Sequence, residues 1–151
     1  MELPRPWAAL VGGLALSVLC CVGCVPATPD ADAWRDHAAT AVDDAISQVR
    51  TTRLVLRLQA EDRLIGRSAV VMVVDAEDGL GSSIDAFTAE QPPKSQRSEW
   101  RRVEESLSAA QSVVTGSRMA IVDSDAAAYS HLTTQLQQVA DRLEQLSEEL
   151  S

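Results

Sequence analysis

From Tyr129 to the C-terminus the apolar residues recur in alternating steps of three and four: Tyr129, Leu132, Leu136, Val139, Leu143, Leu146 and Leu150. That spacing puts every one of them on a single face of an α-helix, as a heptad seam about three heptads long. A helix with one continuous apolar face is not stable alone in water. It must lay that face against other helices. The seam therefore demands partners, and the search for them organises the rest of the chain.

Three further segments supply them. Trp34, Ala38, Val42, Ala45, Val49, Leu56 and Ala60 keep helical spacing, with Arg53 interrupting the face. They predict a first helix from about Asp30 to Ala60, with Asp30 or Asp32 as its cap. Ala69, Val73, Ala76, Leu80, Ile84 and Phe87 form a second stripe within roughly Leu64–Glu90, with a break at Ile65-Gly66. Trp100, Val103, Leu107, Ala110, Val114 and Ile121 form a third, from about Ser95 to Val122, with a soft spot at Gly116-Ser117. Asp123-Ser124-Asp125 offers caps for the fourth helix, Ala126 to Leu150. The spacing nearly continues through Asp123, so a fused third and fourth helix is the competing reading.

The second stripe carries a second conflict. Ala69-Val-Val-Met-Val-Val74 is a β-branched run of the kind found in buried strands, and Leu54-Val-Leu-Arg-Leu58 is a hairpin partner for it. A lone hairpin is marginal without a third strand, and the sequence holds no third candidate. Gly79 and Gly81 each weaken a helix by about 1 kcal/mol relative to alanine, unless they admit a close neighbour. Gln91-Pro92-Pro93-Lys94 is the clearest turn, because neither proline continues a helix interior. Four segments of similar length joined by short turns predict an all-α fold: an antiparallel up-down-up-down four-helix bundle over residues 34–151, preceded by an N-terminal signal peptide. Its apolar residues are small, with alanine and valine prominent, which suits close packing and leaves little room for a deep cavity.

The N-terminal segment sets the address. Trp7 to Val22 is uncharged and mostly apolar, shorter than the roughly 20 residues a membrane span needs, and followed by small residues and Pro26. That is the form of a secretory signal. Its end, Cys21-Val22-Gly23-Cys24, resembles the lipobox of bacterial lipoprotein precursors. Val22, Gly23 and Cys24 match its last three positions, while Cys21 stands where leucine is usual. The resemblance implies that residues 1–23 are removed and that Cys24 carries diacylglycerol. All three cysteines fall within five positions, Cys20 to Cys24, and none follows. A disulfide framework would instead spread them through the domain. Two alternatives stay open: cleavage after Ala27, releasing a soluble protein, and an uncleaved anchor. Residues 24–33, with Pro26 and Pro29, read as a flexible tether.

The mature chain, 128 residues from Cys24, is one domain's worth and keeps the full net charge of −9, since Glu2 and Arg5 cancel. That charge argues against nucleic acid, whose phosphates need a basic face, and against docking on anionic lipid through protein charge. Attachment to the membrane is left to the lipid, and several chains on one cysteine hold firmly. Lys94 is the only lysine; with the arginine bias and abundant alanine, the whole resembles the small helical lipoproteins of actinobacteria.

No catalytic constellation emerges. His37 and His131 are the only histidines, and neither is preceded at three residues by glutamate, as a di-iron bundle requires. Asp75, Glu77 and Asp78 lack the spacing of a calcium loop, because Val74 stands where its first ligand belongs. There is no Gly-x-Ser-x-Gly and no phosphate-binding glycine loop. The expectation is no enzyme, no cofactor and no metal, with an interaction or scaffolding role on the extracytoplasmic face of the cell membrane. An envelope protein is the expected partner, and a monomer the expected state without the lipid. The runner-up is a small-ligand or sensor module in an interhelical groove. Trp34 and Trp100, which begin the first and third helices, would be its ligand-facing pair, or else would staple one end of the core.

Overall fold

The computed structural model describes residues 30–151, so the expected signal segment, Cys24 and most of the expected tether lie outside the described residues. Four helices follow one another: α1 Ala31–Ala60, α2 Gly66–Ala89, α3 Arg97–Val122 and α4 Ala126–Leu150, with a 3₁₀ turn at Lys94–Gln96 leading into α3. No strand occurs among the described residues. The architecture is the all-α four-helix bundle that the apolar spacing predicts.

Each helix begins and ends for a local reason. Asp30 caps α1, its Oδ1 accepting the Ala33 N–H at 2.8 Å. The last three tether residues, 31–33, are therefore the first turn of α1. Between α1 and α2 the chain reverses through Asp62, whose φ of 52° lies in the left-handed region, while the Arg63 N–H donates to the Leu58 carbonyl. Aspartate tolerates that conformation better than most side chains. Gly66 is not the break itself but the first residue of α2. Pro92 and Pro93 end the next connection, and helix resumes as soon as they are passed.

The third and fourth helices are separate. Ser124 adopts φ 56°, and the Asp125 N–H returns to the Ala120 carbonyl, closing α3. Asp125 occupies the cap position of α4 but makes no side-chain cap hydrogen bond, so backbone closure rather than aspartate capping holds this turn. Gly116-Ser117 does not interrupt α3. Ser117 is fully buried and donates its hydroxyl to the Val113 carbonyl at 2.7 Å.

The β-branched run falls inside α2. Ala69 and Val73 are buried, while Val71 is 58% exposed. A helix sorts the run into one buried stripe, whereas a half-buried strand would have shown alternate residues inside. Its proposed hairpin partner lies in α1, with Val55 and Leu56 in the core. With no third strand, tertiary burial along period 3.6 outweighs local β propensity.

α1 is the central member: it packs on α2, on α4 and across the diagonal on α3, while α2–α3 and α3–α4 complete the ring. The antiparallel order shows in the ion pairs. Arg35 near the start of α1 reaches Glu99 near the start of α3, and Arg102 in α3 meets Glu149 at the end of α4 at 2.7 Å. The starts of α1 and α3 thus share one end of the bundle with the ends of α2 and α4; this is called the near end below. The core is mostly alanine, valine and leucine, with six of the seven seam residues of α4 buried and Leu132 packed against them. Burying such surface contributes about 25 cal/mol per Å². The exposed ion pairs contribute at most about 1 kcal/mol each.

Candidate functional site

Aromatic packing dominates the near end. Trp34 is 1% exposed, with its ring centroid 6.3 Å from Phe87 at 52°. Phe87 in turn stacks on Trp100 at 6.2 Å and 18°. Phe87 at the end of α2 therefore bridges the starts of α1 and α3, and the three rings close the core. Offset and tilted pairs of this kind each add about 1 kcal/mol beyond area burial. The two tryptophans do share an end, where Trp34 is buried in the core and Trp100 lines a cleft.

That cleft, about 440 Å³, is lined by Thr88, Glu90, Pro92, Arg97, Trp100 and Arg101. Glu90 Oε2 is hydrogen-bonded to His37 Nδ1, and both side chains are partly exposed. Among the described residues no side-chain hydroxyl is hydrogen-bonded to His37. The Trp100 indole Nε1 is buried without a hydrogen-bond partner.

A larger open groove, about 620 Å³, runs between α1 and α4 past Asp43, Arg50, Leu54, Glu144 and Ser147. Four of its polar side chains pair across the groove. Arg50 pairs with Glu144 at 2.8 Å, and Ser147 donates to Asp43 at 2.7 Å.

The acidic cluster of α2 is divided by the helix. Asp75 and Asp78 are exposed. Glu77 turns to α3, where it accepts from Thr115 Oγ1 at 2.6 Å and pairs with Arg118. Among the described residues no group of three or more histidine, cysteine or carboxylate side chains is placed to hold a metal ion. His131 is exposed. No described helix is long and apolar enough to cross a membrane. Cys24, the residue expected to be lipidated, lies outside the described residues.

The far end, where α1 and α3 finish, has the opposite character. Among the described residues Leu54, Ile65, Val71, Met72, Met119 and Val122 are the exposed large hydrophobics, with Ile65 reaching 77%. All six lie in the far half of the bundle: late α1, the α1–α2 turn, early α2 and late α3. Charge is segregated along the same axis. When each helix is divided at its midpoint, the far half holds six basic and six acidic residues, and the near half six basic and fifteen acidic. The whole net charge of −9 sits in the near half.

The sequence stripes did not name this feature, but they held its signal. Val71, Met72, Met119 and Val122 are the apolar residues that fall off the buried stripes of α2 and α3. The cleft residues Arg97 and Arg101 carry no such signal, since charges on an exposed helix face are ordinary. No protein-family model, curated protein or solved structure matches the chain.

Proposed function

We propose that this chain is a lipid-anchored cell-envelope protein whose helical bundle has a non-enzymatic interaction role. Processing at the lipobox-like Cys21–Cys24 would leave diacylglycerol on Cys24 and hold the domain on the extracytoplasmic face of the cell membrane. The single observation that supports an interaction role is that, among the described residues, every exposed large hydrophobic lies in the half of the bundle away from the start of α1. Scattered exposed apolar side chains are ordinary, whereas their concentration on one part of a surface marks contact with a partner.

The polarity of charge fits the same arrangement. Anionic headgroups repel an acidic near half, which favours a bundle standing off the bilayer with its neutral, apolar end outward. The partner is then a second envelope protein with an apolar contact face. A photo-crosslinking residue placed at Met119 in the lipidated protein, against the same residue at Glu104 in the near half, tests this. Crosslinks to one protein species from position 119 and not 104 are expected. Their loss in Val71→Ser/Val122→Ser would tie them to the apolar end. Equal crosslinking from both positions would count against the reading. Membrane release by Cys24→Ser, with an intact mass showing diacylglycerol on a chain that begins at Cys24, tests the anchor separately. A native chain beginning at Thr28 would refute it.

A further inference from the structure

Met72 and Met119 are the methionines of the described residues, and neither belongs to the core. Alanine, valine, leucine, isoleucine and aromatic side chains fill the buried apolar positions. The two thioethers are instead 36% and 54% exposed, both in the far half of the bundle. All three cysteines precede Asp30, so the described residues carry no other sulfur.

Helix register separates the two. Glu77 of α2 accepts from Thr115 and pairs with Arg118, so it stands level with that stretch of α3. The two helices run in opposite directions, and one turn back along α2 therefore meets one turn onward along α3. Val74 comes level with Met119, and Val71 with Val122. Val122 is also three residues from Met119, a neighbour on the same face of α3. Val71 and Val122 are both more than half exposed. Met119 thus belongs to an exposed apolar strip along the α2–α3 seam. Met72 lies on the other flank of α2: it precedes Gly79 by seven residues, two turns on the same side, and Gly79 meets Gln48 of α1.

We propose that Met119 is an oxidation site through which hydrogen peroxide releases the partner from the far end of the bundle. The proposal rests on the reading of the far half as a protein contact. The thioether sulfur attacks one peroxide oxygen, so that an S–O bond forms and the O–O bond breaks. Sulfur is oxidised to the sulfoxide, and the other oxygen leaves with both protons as water. An apolar tip becomes a polar acceptor. A partner with an apolar face offers that oxygen no donor, and covering it then costs binding. Val71, Val74 and Val122 give the strip its apolar surface without a reactive atom, which confines the sensitivity to Met119. Because the sulfur lies outside the core, its oxidation leaves the bundle folded, whereas a sulfoxide in a packed core disrupts it.

The test has two arms. In the first, the full chain in neutral detergent micelles is treated with hydrogen peroxide, and peptide masses follow the sulfoxide at each methionine. Met119 should oxidise within about threefold of its rate in the urea-unfolded chain, as an exposed thioether does, with helical circular dichroism retained. In the second, the lipidated chain in its membranes carries the photo-crosslinking residue at Val122, which keeps Met119 in place. Peroxide should lower the crosslink yield at least about tenfold. Met72→Leu should show the same loss. Met119→Leu, a swap that conserves volume and apolarity, should keep its yield within about twofold after the same treatment. Protection of Met119 by about tenfold or more in the micelles overturns the proposal. So does a crosslink yield that complete oxidation at Met119 leaves unchanged, or an equal loss in Met119→Leu. No crosslink from position 122 in untreated membranes would remove the contact reading itself, and the proposal with it, so the two failures are told apart.

Discussion

A Cβ placed on Gly79 of α2 would lie 3.0 Å from Nε2 of Gln48 on α1. Here the tip of the Gln48 side chain rests against the space that a Cβ would fill. Gly81, two residues on, has nothing within 4 Å of the same construction. The two glycines look alike in the sequence, and only one has a packing reason. Gly81→Ala is therefore expected to stabilise the fold by about 1 kcal/mol, the helix-propensity gain of alanine. Gly79→Ala should gain clearly less, because the Gln48 amide must give by a few tenths of an ångström, and Gly79→Leu should destabilise. Urea denaturation of the three variants measures this. Equal gains for both alanine variants would show that the Gln48 contact imposes no constraint.

Tyr129 is the one tyrosine of the chain, and it is 5% exposed in the seam of α4. Burial raises its phenol above the ordinary tyrosine value, and the charge of Asp125 raises it further. The folded state therefore keeps the proton more strongly than the unfolded chain does. The stabilisation is complete below the unfolded value of about 10 and is lost as pH rises through the higher folded value. Phenolate absorbance should appear only above that ordinary value, and folding stability should fall over the same range. In Tyr129→Phe the part of the alkaline loss that tracks the phenolate signal should vanish. Phenolate appearing below pH 10 in the folded protein would contradict the assignment.

The ion pairs should differ in worth according to their surroundings. Glu77 and Arg118 are 20% and 33% exposed in their side chains, and Thr115 donates to the same carboxylate. Glu144 and Arg50 are 41% and 60% exposed and stand alone. A double-mutant cycle to alanine should give a coupling of about 1 kcal/mol for Glu77–Arg118 and only a few tenths, about 0.3 kcal/mol, for Arg50–Glu144. High salt should diminish the second pair more than the first. The reverse order would mean that burial does not set their strength.

The fold was legible because its signal is periodic. Leu136, Leu143 and Leu150 fall where the heptad puts them, and both Asp30 and the proline pair act as the local rules require. The harder points were those where two local rules compete. Ala69–Val74 reads as a strand by composition and as a helix by burial, and only the absence of further strands decides it. The cap residues Asp123 to Asp125 marked the separation of α3 from α4, but the left-handed conformation of Ser124 that makes the turn gives no sign in the sequence. The near-end cleft was hidden for another reason. It forms where the end of α2, the proline turn and the start of α3 come together, which spacing along one helix does not encode. Trp34 and Trp100 were visible as a pair at one end, but Phe87 between them turned one into core and left the other at the surface.

The seam of α4 bears on self-association. Leu136, Val139, Leu143, Leu146 and Leu150 are all 8% exposed or less within a single chain. A seam occupied by α1 and α3 is not free to form a coiled coil between molecules unless the bundle opens. Charge acts in the same direction, since Asp141, Glu144, Glu148 and Glu149 have only Arg142 as a basic neighbour in the last stretch. A parallel pairing would bring those carboxylates together. The lipid-free domain, residues 28–151, is therefore expected to sediment as a monomer at micromolar concentration. Leu146, 6% exposed near the near end, is the discriminating position. Leu146→Ala should cost about 2 kcal/mol, at the low end for a buried leucine because the site lies at the rim, and should leave the sedimentation coefficient unchanged. A wild-type dimer that Leu146→Ala converts to a folded monomer would place the seam between molecules and overturn this assignment. A wild-type dimer that Leu146→Ala leaves intact, but Val71→Ser/Val122→Ser dissolves, would instead locate self-association at the apolar far end.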